Sequence, residues 1–169
     1  MKKLFIMRGP SLCGKTTLIE ELGLKENTIS PDDIRKMYFG MEIYQDTTKI
    51  IKKDSYKIFS KLYEIIEQRM EYGLLTIIDH SNLLEVNIEK YKNLCYKYGY
   101  ECIVVNFKTP LNELLERNSK LAYPLDEEEI KKEYEFRINI NNIKSSYFLS
   151  SIGISIITYT LKSITYSSV

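Results

Sequence analysis

Apolar residues fall along this chain in two rhythms. Three short runs, Lys3-Leu4-Phe5-Ile6-Met7, Leu74-Leu75-Thr76-Ile77-Ile78 and Glu101-Cys102-Ile103-Val104-Val105-Asn106-Phe107, have the length and apolar continuity of strands buried on both faces. Asn27-Thr28-Ile29-Ser30 predicts a brief strand, and Gly153 to Leu161 a last one, with Lys162 onward as a tail. Between the runs the apolar positions take helical spacing. Thr17-Leu18-Ile19-Glu20-Glu21-Leu22 follows the first run. Ile51, Ile58, Leu62, Ile65 and Ile66 predict a helix from about Asp46 to Tyr72, ended by Gly73. Leu84, Ile88, Tyr91, Leu94 and Tyr98 predict another, ended by Gly99. A further helix runs from Pro110 to about Asn118, and Asp126 caps one with Ile130, Tyr134 and Ile138 on one face. Ser30 suits an N-cap and Pro31 the first helical position, and Asp33, three residues after Ser30, completes the pattern of a capping box. Strands alternating with helices predict an α/β fold, a central parallel sheet of four to five strands with helices on both faces.

The join between the first strand and first helix reads Gly9-Pro10-Ser11-Leu12-Cys13-Gly14-Lys15-Thr16. This is G-x-x-x-x-G-K-[ST] in the strand, loop, helix context that gives the pattern meaning. Glycines let the backbone curl so that successive N–H groups face phosphate oxygens, and the helix start adds a positive dipole end. Gly9, Pro10, Ser11, Leu12, Cys13, Gly14, Lys15, Thr16 and the adjoining Thr17 are therefore the candidate nucleotide-binding residues. Lys15 would reach the β/γ-phosphates, and the Thr16 hydroxyl would ligate a divalent cation. The fold expected is a single P-loop kinase domain over 1–169 with nothing before it, a helical lid over about 117–140, and a C-terminal strand and tail over about 153–169. The polar loop Arg117-Asn118-Ser119-Lys120-Leu121-Ala122-Tyr123-Pro124 between two helices forms the expected lid.

Composition narrows this picture rather than redrawing it. Hydrophobic residues make up 44% and charged residues 28%, neither a disordered nor a membrane composition. The apolar run after Lys2-Lys3 ends at Arg8 and Gly9, too short for a signal peptide, so a cytoplasmic location with no membrane is expected. Net charge is +1, so contact with a nucleic acid would be local, at a terminus, rather than along a coated length. Three cysteines, Cys13, Cys95 and Cys102, are odd in number and lack metal-ligand spacing, which fits a reducing compartment. Cys13 reads as a variable loop position rather than a redox sensor.

A phosphoryl transfer to a hydroxyl needs a base, positive charge over the migrating group and a grip on the acceptor. Asp32, Arg117 and Arg35 are the candidates in turn, and Arg117 and Lys120 of the lid join the loop residues as nucleotide-binding candidates. Asp33 already has a helix-capping explanation, whereas Asp32 shares a helix face with Arg35 three residues on. Asp79-His80-Ser81-Asn82 ends the second long strand, where function gathers in open parallel sheets. Asp79 would hold Mg²⁺ through water or orient Thr16, while a helix-capping Asp or Asn is the plainer alternative. His80, the sole histidine, reads equally well as an ordinary loop residue.

From Lys2 to about Arg137 the chain resembles the kinase domain of the polynucleotide 5′-hydroxyl kinases of phage and bacterial nucleic-acid repair. Asp32-Asp33-Ile34-Arg35 is similar to that family's acid-acid-x-x-Arg segment, Asp79-His80-Ser81-Asn82 to its Asp-x-[ST]-Asn, and Glu116-Arg117-Asn118 to the start of its lid. The resemblance implies ATP as donor, Mg²⁺ or Mn²⁺ as cofactor at Thr16 and Asp79, and a 5′-hydroxyl RNA or DNA end as acceptor. It makes Lys15, Asp32 and Arg117 catalytic, Asp32 being the general base. Asp32, Arg35, Asp79, Ser81 and Asn82 would bind substrate, Arg35 through the phosphate on the acceptor's 3′ side. It also implies assembly, as a homo-oligomer or as one domain of a larger repair enzyme that carries a phosphatase or ligase. One departure stands out: where the family has a second lid arginine, this chain has Leu121. Either Lys120 substitutes, or activity is weak, or the acceptor differs. A P-loop kinase for a small-molecule hydroxyl (a nucleoside, antibiotic or sugar nucleotide) shares the loop and the Asp and is the alternative. A nucleotide-dependent switch would carry an N-K-x-D motif or a hydrolytic glutamine after the second strand, and neither is present.

Overall fold

A strand with helices packed on both sides can hold no charge along its middle, and the three apolar runs meet that demand. In the computed structural model, which describes residues 2–44, 47–50, 53–142, 155–160 and 163–167, they become β1 (Lys3–Arg8), β5 (Thr76–Ile78) and β6 (Glu101–Phe107), with β2 (Thr28–Ile29) and β7 (Ser155–Thr160) joining them. The sheet order is β2-β5-β1-β6-β7-β8, parallel from β2 to β7, and β8 (Ser163–Ser167) lies antiparallel on β7. Register pairs Leu4, Phe5 and Ile6 with Thr76, Ile77 and Ile78 on one side and with Cys102, Ile103 and Val104 on the other.

Alternation along these strands divides the core in two. Leu4, Ile6, Ile78, Cys102 and Val104 pack against α2 (Pro31–Phe39), α3 (Ser55–Glu71) and α4 (Glu85–Tyr98), through Ile34, then Ile58, Leu62, Ile66 and Met70, then Ile88, Tyr91 and Cys95. Met7, Ile77, Val105 and Phe107 pack on the opposite face with α1 (Lys15–Glu21), α5 (Leu111–Ser119) and α6 (Glu127–Asn142), through Ile19, Leu114 and Ile130. Ile58, Leu62, Ile66 and Met70 stand four apart on α3, all at most 1% exposed, and each contributes on the order of 1.5–3 kcal/mol by leaving water. From β1 the chain runs out to β2, then β5, and crosses back to β6. The strand order therefore reverses at β1, and the crevice of such a sheet opens beyond the carboxyl ends of the strands at that point.

Four expectations need correction. The helix expected from about Asp46 starts only at Ser55. Residues Thr47–Ile50 form β4 instead, antiparallel to β3 (Met41–Tyr44), because the stretch is rich in β-branched residues and the cap comes later: the Asp54 carboxylate accepts from the Lys57 N–H at 3.3 Å. The capping box at Ser30 is only half made. Ser30 Oγ accepts from the Asp32 N–H at 3.1 Å, but the Asp33 carboxylate turns to Lys36 at 3.1 Å and Lys25 at 3.4 Å, being a methylene shorter than the Glu that normally reaches back. The strand expected over Leu74–Ile78 is shorter, since Leu74 and Leu75 precede it and the Leu75 carbonyl accepts from Arg69 at 2.8 Å. Part of the expected tail is strand β8. Ile51, Gly153, Leu161 and Lys162 lie outside the described residues, as does the side chain of Ile138. No helix among the described residues is long and apolar enough to cross a membrane.

Candidate active site

The loop after β1 is shaped by what surrounds it. A Cβ on Gly9 would stand 2.7 Å from Cys13 Sγ and 2.9 Å from Phe107 Cβ, so only glycine lets the loop close against β6. Gly14 turns the chain into α1 at φ +99°, a conformation that glycine adopts without strain. Contacts from outside pin the loop. The Gly9 N–H donates to the Ser81 carbonyl at 3.0 Å, Thr109 Oγ1 to the Cys13 carbonyl at 3.0 Å, and the Arg117 guanidinium to the Leu12 carbonyl at 2.8 Å. Inside the curl, the Lys15 ammonium donates to the carbonyls of Gly9 and Pro10, at 2.9 and 2.8 Å, and reaches Cys13 Sγ at 3.5 Å. Burial pushes the Cys13 thiol up despite Lys15 and Arg117 nearby. Cys13 is thus a protonated, 1% exposed packing residue, as its loop position suggests.

Two clefts meet at Lys15 and Thr16. One, of about 460 Å³, is lined by Leu12, Gly14, Lys15, Thr16, Thr17 and Arg117. The other, of about 480 Å³, holds Lys15 and Thr16 with Asp32, Arg35, Asp79, His80 and Ser81. Thr16 Oγ1 donates to the Asp79 carboxylate at 2.7 Å, so the acid at the end of β5 orients the hydroxyl at the start of α1. Helix α2 supplies the other acid. Its cap at Ser30 fixes where Asp32 leaves the backbone, and the Arg35 guanidinium donates to the Asp32 carboxylate at 2.7 Å. Arg35 is 7% exposed, and its Nε is buried with no hydrogen-bond partner among the described residues. A buried cation with an unmet donor beside a half-exposed carboxylate is an arrangement suited to an anionic ligand.

Two of the expected site residues stand elsewhere. Asn82 is 0% exposed at φ +46°, and its amide donates to the carbonyls of Met7 at 2.7 Å and His80 at 3.1 Å. It ties the β5 turn to the end of β1, so it is a structural pin rather than a substrate contact. Lys120 is exposed, bonded to Glu116 at 2.6 Å, and lines neither cleft. Asn118 closes the lid loop on itself, holding both the N–H and the carbonyl of Leu125 at 2.8 and 2.9 Å. Arg117 does face the loop, steadied by Glu113 at 2.6 Å.

One carboxylate was not anticipated. Glu133 Oε2 of α6 accepts from the Ser11 N–H at 2.6 Å, so an anion already sits on one of the loop's amides, and Glu129, one turn earlier, lines the same cleft. The available signal was the spacing of Glu129 and Glu133, four apart on α6 and so on one helix face. His80 packs its ring edge-on to Phe59, with centroids 5.3 Å apart. Burial holds its pKa below the ordinary 6.5, helped by Lys15 and Arg35 and opposed by Asp32 and Glu133.

A depressed histidine pKa means that the unfolded chain binds more protons than the folded one below pH 6.5. Stability is therefore held above that value and lost as pH falls through the folded pKa. His80→Asn should lessen the fall in urea midpoint between pH 7.5 and pH 5.5. An unchanged pH dependence would mean that His80 titrates as it does in an open chain.

Comparison with known proteins agrees with this geometry. A family model described as an AAA domain, AAA_33, matches residues 4–134. A protein of Autographa californica nuclear polyhedrosis virus named as a bifunctional polynucleotide kinase/RNA ligase is 25% identical over 153 residues, 85% of this chain and 22% of that protein. Among solved structures, the Pnkp1/Rnl/Hen1 RNA repair complex has a chain that superposes with a TM-score of 0.68 at 20% identity, covering 83% of this chain and 45% of that one. A gluconokinase from Sinorhizobium meliloti 1021 gives 0.55 at 14% identity, covering 93% and 82%. This chain thus spans about a fifth of the viral protein and under half of the repair-complex chain. At these identities the solved structures speak for the fold, and the fold is that of the P-loop kinases. With its phosphate loop, parallel sheet and lid, this P-loop kinase-type chain belongs to the AAA_33 family of AAA domains.

Proposed function

We propose that the chain transfers the γ-phosphate of ATP to the 5′-hydroxyl end of RNA or DNA. The observation that carries the reading is the Asp32–Arg35 pair, 2.7 Å apart, in a cleft that shares Lys15 and Thr16 with the cleft beneath Arg117. In this reading ATP lies along the loop on the Arg117 side, and the acceptor enters beside Asp32. The bond between the γ-phosphorus and its bridging oxygen breaks as a bond to the 5′-oxygen forms in line. Asp32 takes the hydroxyl proton, and ADP leaves. Lys15, the loop amides and Arg117 neutralise charge on the migrating group, and such positioning and electrostatics supply most of the acceleration in phosphoryl transfer. Thr16 and Asp79 fit a divalent cation of the Mg²⁺ kind, one hydroxyl and one carboxylate at the mouth of a phosphate loop, with the remaining ligands left to phosphate and water. Thr16 and Asp79 would hold it there, and the chemistry it would supply is positive charge against the phosphates. No group of three His, Cys, Asp or Glu among the described residues forms a cage of its own.

Arg35 lies one helical turn from Asp32, and on a 5′-hydroxyl end the group one step beyond the hydroxyl is the 3′-phosphate of the terminal nucleotide. A nucleoside 3′-monophosphate should be a good acceptor and the bare nucleoside a poor one. Arg35→Ala should erase most of that difference, a loss of about 1.5–3 kcal/mol for a hydrogen-bonded charge. Arg35→Lys should restore only part, because a point charge lacks the two-pronged contact. If wild type phosphorylates the bare nucleoside as well as its 3′-phosphate, the polynucleotide reading fails. The second reading then stands: a small-molecule hydroxyl as acceptor, which the likeness to a gluconokinase over 93% of this chain favours.

A further inference from the structure

Past His80 and Ser81 the wall of the Asp32 cleft opens on a second, shallower groove of about 310 Å³. His80, Ser81 and Glu133 line both, so the two spaces adjoin. The chemistry changes across that boundary. The cleft is lined mainly by charged and hydroxyl groups, whereas the groove is walled by Leu83, Leu84 and Phe136, with Asn87 and Lys132 at its polar edge. Leu84 is 49% exposed and Phe136 42%, large apolar surfaces held open beside a polar site. Lys132 and Phe136 stand four apart on α6 and so share a face. Lys132 makes no ion pair among the described residues, while its neighbour Lys131 is bound to Glu128 at 2.8 Å.

An exposed aromatic ring, an aliphatic wall and an unpaired cation, next to the acceptor cleft, suit a planar base with a phosphodiester attached. We propose that the groove binds the second nucleotide of a single-stranded acceptor, its base stacked on Phe136 and its phosphate near Lys132. The proposal rests on the polynucleotide reading above and extends it. The terminal nucleoside sits at Asp32, its 3′-phosphate at Arg35, and the next residue passes His80 and Ser81 into the groove. Stacking on an aromatic side chain is tolerant of base identity, because every base has a π-face, so the site adds affinity without reading sequence.

The test compares three 5′-hydroxyl acceptors by label transfer from γ-labelled ATP: a nucleoside 3′-monophosphate, a dinucleotide, and a dinucleotide whose second residue lacks its base. The second base should lower KM by about five- to a hundredfold, and the abasic dinucleotide should lose that gain. Phe136→Ala should raise KM for the intact dinucleotide by the same factor. It should leave kcat/KM for the nucleoside 3′-monophosphate unchanged, which also reports that the variant is folded. Phe136→Tyr should keep the gain. Equal KM values for intact and abasic dinucleotides in wild type, or equal damage by Phe136→Ala to both the mononucleotide and the dinucleotide, would overturn the proposal and leave the polynucleotide reading intact. A wild type that phosphorylates none of the three overturns that reading and this inference with it.

Discussion

Lys15→Ala is expected to lower phosphoryl transfer by at least about 10²–10³-fold, the cost of deleting one preorganised charge from the site of charge development. The argument is positional. Lys15 stands where the two clefts meet, its ammonium held inside the loop by the Gly9 and Pro10 carbonyls, and among the described residues no other lysine or arginine lines both. The side chain belongs to neither apolar cluster, so the variant should unfold within a few degrees of wild type. Steady-state rates and a thermal melt check the two halves separately. Wild-type turnover in a folded variant would mean that the loop does not carry the transfer.

Asp32→Asn is expected to cost roughly 10²–10⁴-fold in kcat, the range for a lost general base, with little change in stability. Asparagine keeps the shape and can still accept from Arg35, but it cannot take the hydroxyl proton. Asp33→Asn is the control. Asp33 lines the same cleft, yet its carboxylate is occupied by Lys25 and Lys36 in half-exposed pairs, which are worth at most about 1 kcal/mol. Its turnover should stay within a few-fold of wild type. Pre-steady-state rates for the two variants decide the matter, and equal damage from both would remove Asp32 from the role of base.

The phosphate loop was legible because its spacing fixes its own backbone: glycine at the close approach to Phe107, glycine at the left-handed entry to α1, and a strand and helix on either side. The parallel sheet was legible for a related reason, since runs buried on both faces leave little else for Ile77, Val104 or Phe107 to do. What failed was local competition. Thr47, Thr48 and Ile50 are β-branched, and counting Ile51 into the helical period hid the cap at Asp54. Ser163-Ile164-Thr165-Tyr166 has the alternation of a strand that pairs with β7, although it reads as a polar tail on composition.

Side-chain roles were harder to read than elements. The Asp79-His80-Ser81-Asn82 stretch fixes four polar residues after β5 but not which way each one points. Asn82, at positive φ, turns inward to Met7 while Asp79 turns to Thr16. Glu116 and Lys120 stand four apart, and their ion pair competes with the phosphate role assigned to Lys120. Glu133 meets Ser11 across 122 positions, a contact that only the assembled fold creates.

The most direct measurement is label transfer from γ-labelled ATP, with Mg²⁺ present, into equal concentrations of 5′-hydroxyl RNA, 5′-hydroxyl DNA, bare nucleosides and sugar acids. The expected result is label on a 5′-hydroxyl polynucleotide end, with bare nucleosides and sugar acids labelled far more slowly. Fast labelling of a small acceptor, with both polynucleotides left unlabelled, would contradict it.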